Sequence, residues 1–307
     1  MTGHIGADVS GVDISRPLDA ESVGLIREAL FEYKVVFFRD QRLDHASQIA
    51  FGRQFGELTY AHPHDDTPPG GFPEIFTIDP RRYEERYGPG FEQQVRRRQY
   101  SYFSGWHTDV TAAVNPPAGS ILRAEVVPER GGDTTWTNLV ARLPGPVRAA
   151  EVLRGRSAGG APLRRRGQAH RRRRLRQAGQ RQPAGRRAPG GPRAPVTGER
   201  ALFVNPGFTS HVVDVSPRES KAVLDLLYAE ITRPEYTVRF RWEPGSVAFW
   251  DNRATAHLAP RDLAHLDVER RLHRVTLIGD VPVGPDGRHS ELVAGKPFTS
   301  EHTVKVD

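Results

Sequence analysis

Short apolar runs separated by turn residues are the feature that most limits the folds open to this chain. Residues 35–38, 121–126 and 247–250 are rich in apolar side chains, and each run is long enough for a buried strand but too short for most helices. Turns that contain Pro and Gly precede two of these runs, at 116–120 and 243–245. With 307 residues the chain can bury a sizeable core. The pattern predicts a mainly β fold, an antiparallel double sheet with flanking helices.

Three stretches carry helix signals. Asp19 or Ser22 could cap a first helix, and a second helix is expected over residues 45–55. A Ser-x-x-Glu pattern, typical of a capping box, opens a third helix over residues 217–231. In contrast, residues 81–99 are polar and charged, which indicates a mobile excursion between elements.

The composition excludes several kinds of protein. Cysteine is absent, so disulfides, thiolate metal sites and cysteine nucleophiles are excluded, and any metal ion must be bound by His, Asp or Glu. No apolar run approaches the roughly 20 residues of a membrane span, and residues 1–10 lack the pattern of a secretory signal. These features favour a cytoplasmic enzyme without a membrane partner.

Residues 148–193 depart from the rest of the chain. This block holds 15 Arg, no Lys and one acidic residue, and it accounts for the net charge of +7. It lacks apolar periodicity, so burial cannot offset the entropy lost on ordering. We therefore expect a single domain over residues 1–307, interrupted at about 148–193 by a disordered, Arg-rich, low-complexity insert. A frame-shifted reading of a GC-rich gene is a second explanation, which resequencing would test.

His107 and Asp109 form a candidate metal-binding pair. In an extended segment, side chains two positions apart lie on the same side, so both could bind one ion. The best third ligand is His257, far downstream in the stretch 250–257. Two His and one carboxylate on one face of an ion form the triad of non-haem Fe(II) oxygenases. A zinc hydrolase could use the same three residues, and it would turn over without O2 or 2-oxoglutarate.

Five motifs in this order resemble those of one known family. They are Trp106-His107-Thr108-Asp109-Val110-Thr111, Pro116-Pro117-Ala118-Gly119-Ser120, Gly131-Gly132-Asp133-Thr134, Phe249-Trp250-Asp251-Asn252-Arg253-Ala254-Thr255 with His257, and Arg270-Arg271-Leu272-His273-Arg274-Val275-Thr276. Together they look like the taurine dioxygenase (TauD/TfdA) family, over residues 5–143 and 195–283. The resemblance implies a double-stranded β-helix, which is a jelly-roll or cupin-like fold. It also implies an Fe(II)- and 2-oxoglutarate-dependent dioxygenase that consumes O2, releases succinate and CO2, and binds iron through His107, Asp109 and His257.

The resemblance implies that Arg271 and Thr134 bind the far carboxylate of 2-oxoglutarate. A guanidinium group forms a two-bond fork with a carboxylate, which Lys cannot copy. Arg270 competes for this role, because neighbouring residues on a strand point to opposite faces and only one of them can serve. If Arg271 does not bind 2-oxoglutarate, it could form a surface ion pair with Glu269 or Asp267. Thr134, likewise, could simply favour β structure.

The resemblance also implies that His62 and Arg274 bind the head group of a small anionic substrate. His64 is a rival of His62, and either binding residue could instead belong to a structural pair. Arg274 lies three positions after Arg271, so both reach one pocket only if a bulge or twist interrupts the strand. A sulfonate or alkyl sulfate ester, once hydroxylated next to its head group, would collapse to an aldehyde plus sulfite or sulfate and serve sulfur acquisition. An aryloxyalkanoate or another carboxylate is the alternative substrate.

Two interpretations from other classes stay open at this point. The Arg-rich block could bind nucleic acid, with an affinity that falls steeply with salt and is lost when residues 148–193 are deleted. Its confinement to one low-complexity stretch argues against this. The block could also leave an inactive remnant of the enzyme. A homodimer or a homotetramer is a further candidate for the assembly.

Overall fold

The computed structural model describes residues 1–62, 68–89, 105–140, 163–165, 185–188, 197–260, 262–263, 266, 268–284, 287–294 and 296–300. Within these ranges the α-helices are α1 (Ala20–Tyr33), α2 (His45–Arg53), α3 (Pro80–Tyr87) and α4 (Pro217–Ile231), and a short 3-10 helix spans Pro234–Tyr236. The strands are β1 (Ala7–Val9), β2 (Val35–Phe38), β3 (Phe76–Ile78), β4 (Gly119–Val126), β5 (Thr134–Asn138), β6 (Leu163–Arg165), β7 (Gly185–Ala188), β8 (Thr209–Val212), β9 (Thr237–Phe240), β10 (Val247–Asp251), β11 (Thr255–Leu258), β12 (Arg271–Leu277) and β13 (Glu291–Ala294).

The largest sheet has six strands in the order β1-β2-β10-β4-β12-β3. Its neighbouring strands are antiparallel except for β1 and β2, which run parallel. Alternate residues of a strand face opposite sides of the sheet, and here both sides are buried. On one side Phe38, Ile121 and Phe249 belong to an apolar cluster with Leu30 of α1 and Phe51 of α2. The two N-terminal helices therefore cover this side.

The other side of the large sheet faces the three-stranded antiparallel sheet β11-β5-β9. Trp136 on β5 is fully buried, and its ring lies 5.5 Å from the rings of both Phe37 on β2 and Trp250 on β10. Large aromatic side chains bury the most surface per residue, so Trp136 is a principal link between the sheets. The two facing sheets confirm the mainly β, double-sheet fold expected from the sequence.

The helix boundaries follow the predicted capping residues. Asp19 rather than Ser22 is the N-cap of α1, because its side chain accepts a hydrogen bond from the backbone amide of Ser22 at 2.7 Å. In α4, Ser216 and Glu219 form the reciprocal capping box that the sequence predicted. Helix α2 begins where expected and ends at Arg53, before the predicted end.

Two stretches are more regular than the sequence predicted. The charged stretch from residue 81 begins within helix α3, where Pro80 occupies the first turn, a position that suits proline. Residues 90–99 lie outside the described part of the chain. Strands β6 and β7 lie inside the Arg-rich block and join β8 and β13 in a sheet of order β13-β7-β6-β8, where the sequence predicted no regular structure. All other residues of the block lie outside the described part of the chain, so the disordered insert, the single domain and the frame shift stay predictions. None of the described helices is long and apolar enough to cross a lipid bilayer.

Candidate metal centre

His107, Asp109 and His257 converge in the folded chain. One potential ligand atom of each residue lies within 4.8 Å of the others. The Nε2 atom of His257 is 3.9 Å from Oδ1 of Asp109, and the two imidazole ring centres are 4.2 Å apart. Metal–ligand bonds of roughly 2 Å place ligand atoms about 3–4 Å from one another. Among the described residues, these three side chains therefore form a group that can share one ion.

Backbone pairing holds the two histidines together. His257 on β11 forms an isolated antiparallel bridge with His107. The amide of His107 donates to the carbonyl of His257 at 2.9 Å, and the reverse bond is 2.7 Å. Asp109 lies in a turn, and the next residue, Val110, has a φ of 37°, a conformation that β-branched residues rarely adopt. A turn rather than an extended segment therefore brings Asp109 to the side of His107.

A hydrogen bond orients the imidazole of His107, and burial keeps the imidazole of His257 neutral. Nδ1 of His107 lies 2.8 Å from the carbonyl of Gly105, so this nitrogen carries the proton and Nε2 keeps a lone pair. Burial lowers the pKa of His257 to about 3, aided by His107 and Arg274 against the opposite effect of Asp109. His257 is therefore neutral at pH 7. Its Nε2 faces Asp109, whereas its Nδ1 is buried without a hydrogen-bond partner among the described residues.

Asp109 receives hydrogen bonds on both carboxylate oxygens. Ser120 Oγ donates to Oδ2 at 2.7 Å, and a guanidinium nitrogen of Arg274 donates to Oδ1. Burial by itself raises the pKa of Asp109, but Arg274, the two histidines and Ser120 outweigh it and hold that pKa well below its ordinary value. The carboxylate is thus ionised, as a metal ligand must be.

A buried chain of hydrogen bonds orients Ser120. Trp250 Nε1 donates to Asn252 Oδ1 at 2.8 Å, and Asn252 Nδ2 donates to Ser120 Oγ at 2.9 Å. The hydroxyl hydrogen of Ser120 is left to donate to Asp109. Groups that hold a ligating side chain in this way tune metal affinity. From the sequence Ser120 was visible only as a turn residue, because the contact arises from tertiary folding.

The neighbouring arginines Arg270 and Arg271 have different surroundings. The side chain of Arg271 is 37% exposed and pairs with Asp79 at 3.4 Å and Glu125 at 3.2 Å. Arg270 is buried, and its Nε donates to the carbonyl of Gly132 at 3.1 Å. The structure thus places Arg271 in a partly exposed ion-pair cluster and Arg270 against the 131–134 turn.

Thr134 lies at the end of the same turn. It is buried, and its hydroxyl oxygen accepts a hydrogen bond from Trp242 Nε1 at 3.0 Å, so its own hydrogen can be donated elsewhere. Gly132 has a φ of 78°, and a Cβ at this position would lie 3.3 Å from Nε of Arg270. Glycine therefore permits both the turn and the close approach of Arg270.

His62 and Arg274 line one small cleft. Both flank Phe76: the ring of His62 stacks at 4.7 Å, and the guanidinium of Arg274 lies 5.0 Å from the ring centre. Arg274 is buried, and its Nε has no hydrogen-bond partner among the described residues. A donor of Arg274 therefore remains for an incoming anion. The rival residue, His64, lies outside the described residues.

Two facing β-sheets that carry a His-Asp-His centre define the class of non-haem, metal-dependent oxygenases. The sequence profile described as "Taurine catabolism dioxygenase TauD, TfdA family" matches residues 1–276. An alpha-ketoglutarate-dependent sulfate ester dioxygenase from Pseudomonas putida is 36% identical, covering 94% of this chain and 92% of that protein. An alkylsulfatase from Acinetobacter baylyi is 32% identical, covering 100% and 92%. A solved taurine dioxygenase structure from Burkholderia xenovorans superposes with a TM-score of 0.79 at 45% identity, covering 96% of this chain and 94% of that one.

The chain belongs to the TauD/TfdA family. It is an Fe(II)- and 2-oxoglutarate-dependent dioxygenase, so the fold, the enzyme class and the need for Fe(II), 2-oxoglutarate and O2 predicted from the sequence are confirmed.

Proposed function

We propose that this dioxygenase hydroxylates a small organic anion, an alkyl sulfate ester or a sulfonate, at the carbon next to the anionic head group. The observation that carries the proposal is the position of Arg274. Its guanidinium lines the cleft and also contacts Asp109. An anion bound there lies beside the metal centre, with His62 on the same cleft wall. The Pseudomonas relative is a sulfate ester dioxygenase and the Acinetobacter relative an alkylsulfatase, which supports this substrate class.

His107, Asp109 and His257 hold the ferrous ion in this proposal. Each imidazole supplies a nitrogen ligand, and the ionised carboxylate of Asp109 supplies negative charge to the site. When bound, the iron with 2-oxoglutarate and O2 supplies an oxidative decarboxylation that yields succinate and CO2 and oxidises a substrate C–H bond. The chain itself contributes positioning and a largely buried surrounding for these groups.

Arg270 rather than Arg271 is the partner that we propose for the far carboxylate of 2-oxoglutarate. Burial next to the turn of Thr134 favours Arg270, whereas Arg271 has Asp79 and Glu125 as partners. Arg270 directly precedes β12, and the register of β12 against β4 shifts between Arg271 and Leu272. The placement of Arg270 against Gly132, rather than strand alternation, therefore supports its role. Thr134 adds a hydroxyl donor to the same carboxylate.

Hydroxylation next to the head group explains how one reaction releases inorganic sulfur. The new hydroxyl and the leaving group share one carbon, so the C–O bond of a sulfate ester, or the C–S bond of a sulfonate, breaks as the hydroxyl loses its proton. The products are an aldehyde and sulfate or sulfite, which would supply sulfur for growth. His62 and Arg274 bind the head group and so direct which carbon reacts.

The test measures succinate, aldehyde and released sulfate or sulfite with a panel of alkyl sulfates, sulfonates and aryloxyacetates. We expect stoichiometric succinate and aldehyde with one or more sulfur-containing anions, and only in the presence of O2. Turnover without O2 and 2-oxoglutarate would indicate the zinc hydrolase instead. Activity confined to aryloxyacetates would establish the carboxylate alternative. An inactive remnant would release no succinate with any member of the panel.

Two expectations stay predictions: that the Arg-rich block does not bind nucleic acid, and that the protein forms a dimer or a tetramer. Salt-dependent DNA binding that is lost on deletion of residues 148–193 would contradict the first. The mass of the intact protein in solution, from light scattering, would decide the second.

A further inference from the structure

A threonine that lines the substrate cleft has a buried hydroxyl without a partner among the described residues. Thr276 lies on β12 two positions after Arg274, so both side chains point to the same side. Thr276 is 4% exposed, and its Oγ1 has no hydrogen-bond partner among the described residues. Folded proteins rarely leave such a group unpaired, because desolvation without a hydrogen bond is unfavourable. Thr276 lines the same cleft as His62 and Arg274, which indicates that a ligand supplies the missing partner.

We propose that Thr276 is a further substrate-binding residue, whose hydroxyl donates a hydrogen bond to one oxygen of a tetrahedral sulfur head group. Arg274 and His62 bind the other oxygens. This inference rests on the proposed function and deepens it, because it names a residue that selects the class of anion.

We expect Thr276 to distinguish anions by the number and arrangement of their acceptor oxygens. A carboxylate offers two oxygens in one plane, whereas a sulfate ester or sulfonate offers three terminal oxygens in a pyramid. Among the described residues, Arg274 retains an unpaired Nε donor and Thr276 an unpaired hydroxyl, and both residues line the cleft. A planar carboxylate on Arg274 leaves the hydroxyl of Thr276 buried and unpaired. A site with an unused buried donor binds such an analogue more weakly.

The rest of the cleft suits the organic part of the substrate. Ala61, Val110, Pro117 and Phe298 contribute apolar surface, and no acidic side chain is among the described lining residues. Both residues with an unpaired donor thus line a mainly apolar cleft, and an anionic head group is a ligand whose oxygens can accept from both donors.

The test compares Thr276→Val, which removes the hydroxyl with little change of shape, with Thr276→Ser, which keeps it. The value of kcat/KM is measured for hexyl sulfate, and heptanoate is measured as a substrate or as a competitive inhibitor. We expect Thr276→Val to lower kcat/KM for hexyl sulfate about 10- to 100-fold, mainly by raising KM, and Thr276→Ser to stay within about threefold of the original enzyme. The kcat/KM or the inhibition constant for heptanoate should change less than about threefold in both variants.

Three further readouts separate substrate binding from a structural role. Unliganded Thr276→Val should melt at or above the Tm of the original protein, because it loses an unpaired buried hydroxyl. The visible band of the anaerobic Fe(II)–2-oxoglutarate complex should persist. Thr237→Val is the matched control: Thr237 lies on β9 outside the cleft, and its hydroxyl donates to the carbonyl of Pro234. This variant should leave the preference for hexyl sulfate over heptanoate unchanged.

Two outcomes would overturn the role of Thr276. One is a Thr276→Val enzyme that keeps the original preference for hexyl sulfate over heptanoate. The other is a Tm well below that of the original protein, which would mean that the hydroxyl has a structural partner. An original enzyme that releases succinate with no sulfur-containing anion would instead refute the proposed function itself, so the two failures are distinguishable.

Discussion

Arg274 donates a hydrogen bond to Oδ1 of Asp109, and both side chains are buried. The carboxylate belongs to the metal centre, and the guanidinium lines the substrate cleft. The two sites therefore share one charged pair. A metal cation bound by Asp109 adds positive charge, and an anion bound by Arg274 adds negative charge. The total charge around the pair therefore stays balanced when both sites are filled.

Asp109→Asn is expected to destabilise the metal-free protein as well as to remove metal binding. The substitution leaves the buried guanidinium of Arg274 without its counter-charge, and breaking such a pair costs about 3–5 kcal/mol. Urea unfolding measures the change in the free energy of unfolding. The matched control is the double variant Asp109→Asn with Arg274→Met, which removes both charges and should recover most of the stability but no metal binding. Equal stability of Asp109→Asn and the original protein would contradict the prediction.

Arg270→Gln and Arg271→Gln form a matched pair that tests which arginine binds 2-oxoglutarate. Loss of a buried, two-bond contact to a carboxylate costs about 2–5 kcal/mol, so Arg270→Gln should raise the KM for 2-oxoglutarate at least about 30-fold. Arg271→Gln removes partly exposed ion pairs and should change this KM less than about threefold. An anaerobic titration that follows the visible band of the Fe(II)–2-oxoglutarate complex compares the affinities of the two variants for 2-oxoglutarate directly. A larger increase of this KM in Arg271→Gln than in Arg270→Gln would assign 2-oxoglutarate binding to Arg271 instead.

Ser120→Ala tests the hydrogen-bond chain that orients Asp109. The variant removes the donor to Oδ2 and leaves the donor from Arg274 in place. Losing one group that supports a metal ligand typically lowers metal affinity about 10- to 100-fold, and we expect this for Fe(II), measured by anaerobic titration. Ser47→Ala, in the capping box of α2, is the control and should lower stability without changing metal affinity. Unchanged affinity in Ser120→Ala would show that the chain does not tune the centre.

Local features of the fold could be predicted from the sequence because each depends on a few adjacent residues. The cap at Ser216 and the buried run Val35–Phe38 are of this kind. The grouping of His107 with His257 could be predicted only through the ordered motifs, since 149 intervening residues carry no signal of the bridge that joins them.

Features that depend on strand pairing could not be predicted. Which of Arg270 and Arg271 points inward depends on the pairing of β12 with β4, where the register shifts between Arg271 and Leu272. No local pattern records such a shift. Thr276 shows the same limit, because a threonine on a strand is ordinary until its neighbours are known to leave its hydroxyl unpaired.

Phe298 is expected to limit the length of the organic tail of the substrate. It lines the cleft from a segment beyond the part matched by the family profile. Asn115 fixes it there, because Nδ2 donates to the carbonyl of Phe298 at 3.1 Å and Oδ1 accepts from its amide at 2.8 Å. Phe298→Ala should raise kcat/KM for dodecyl sulfate relative to hexyl sulfate by about tenfold. Leu292→Ala, at an exposed position, is the control, and an unchanged ratio in Phe298→Ala would contradict the prediction.

His273 is expected to make the protein less stable in acid. Its Nε2 hydrogen-bonds to the carboxylate of Glu125, and its Nδ1 lies 3.2 Å from Thr77 Oγ1. Burial lowers the pKa of His273 to about 4 despite the bond to Glu125. Between pH 6.5 and about 4 the unfolded chain therefore binds a proton that the folded protein refuses, so the free energy of unfolding falls as the pH falls, by up to about 1.4 kcal/mol per pH unit. His273→Gln, which can still donate to Glu125, should reduce this slope in urea unfolding of the metal-free protein. The other histidines contribute equally to the pH dependence of both proteins. Identical slopes of the free energy of unfolding against pH would therefore contradict the lowered pKa of His273.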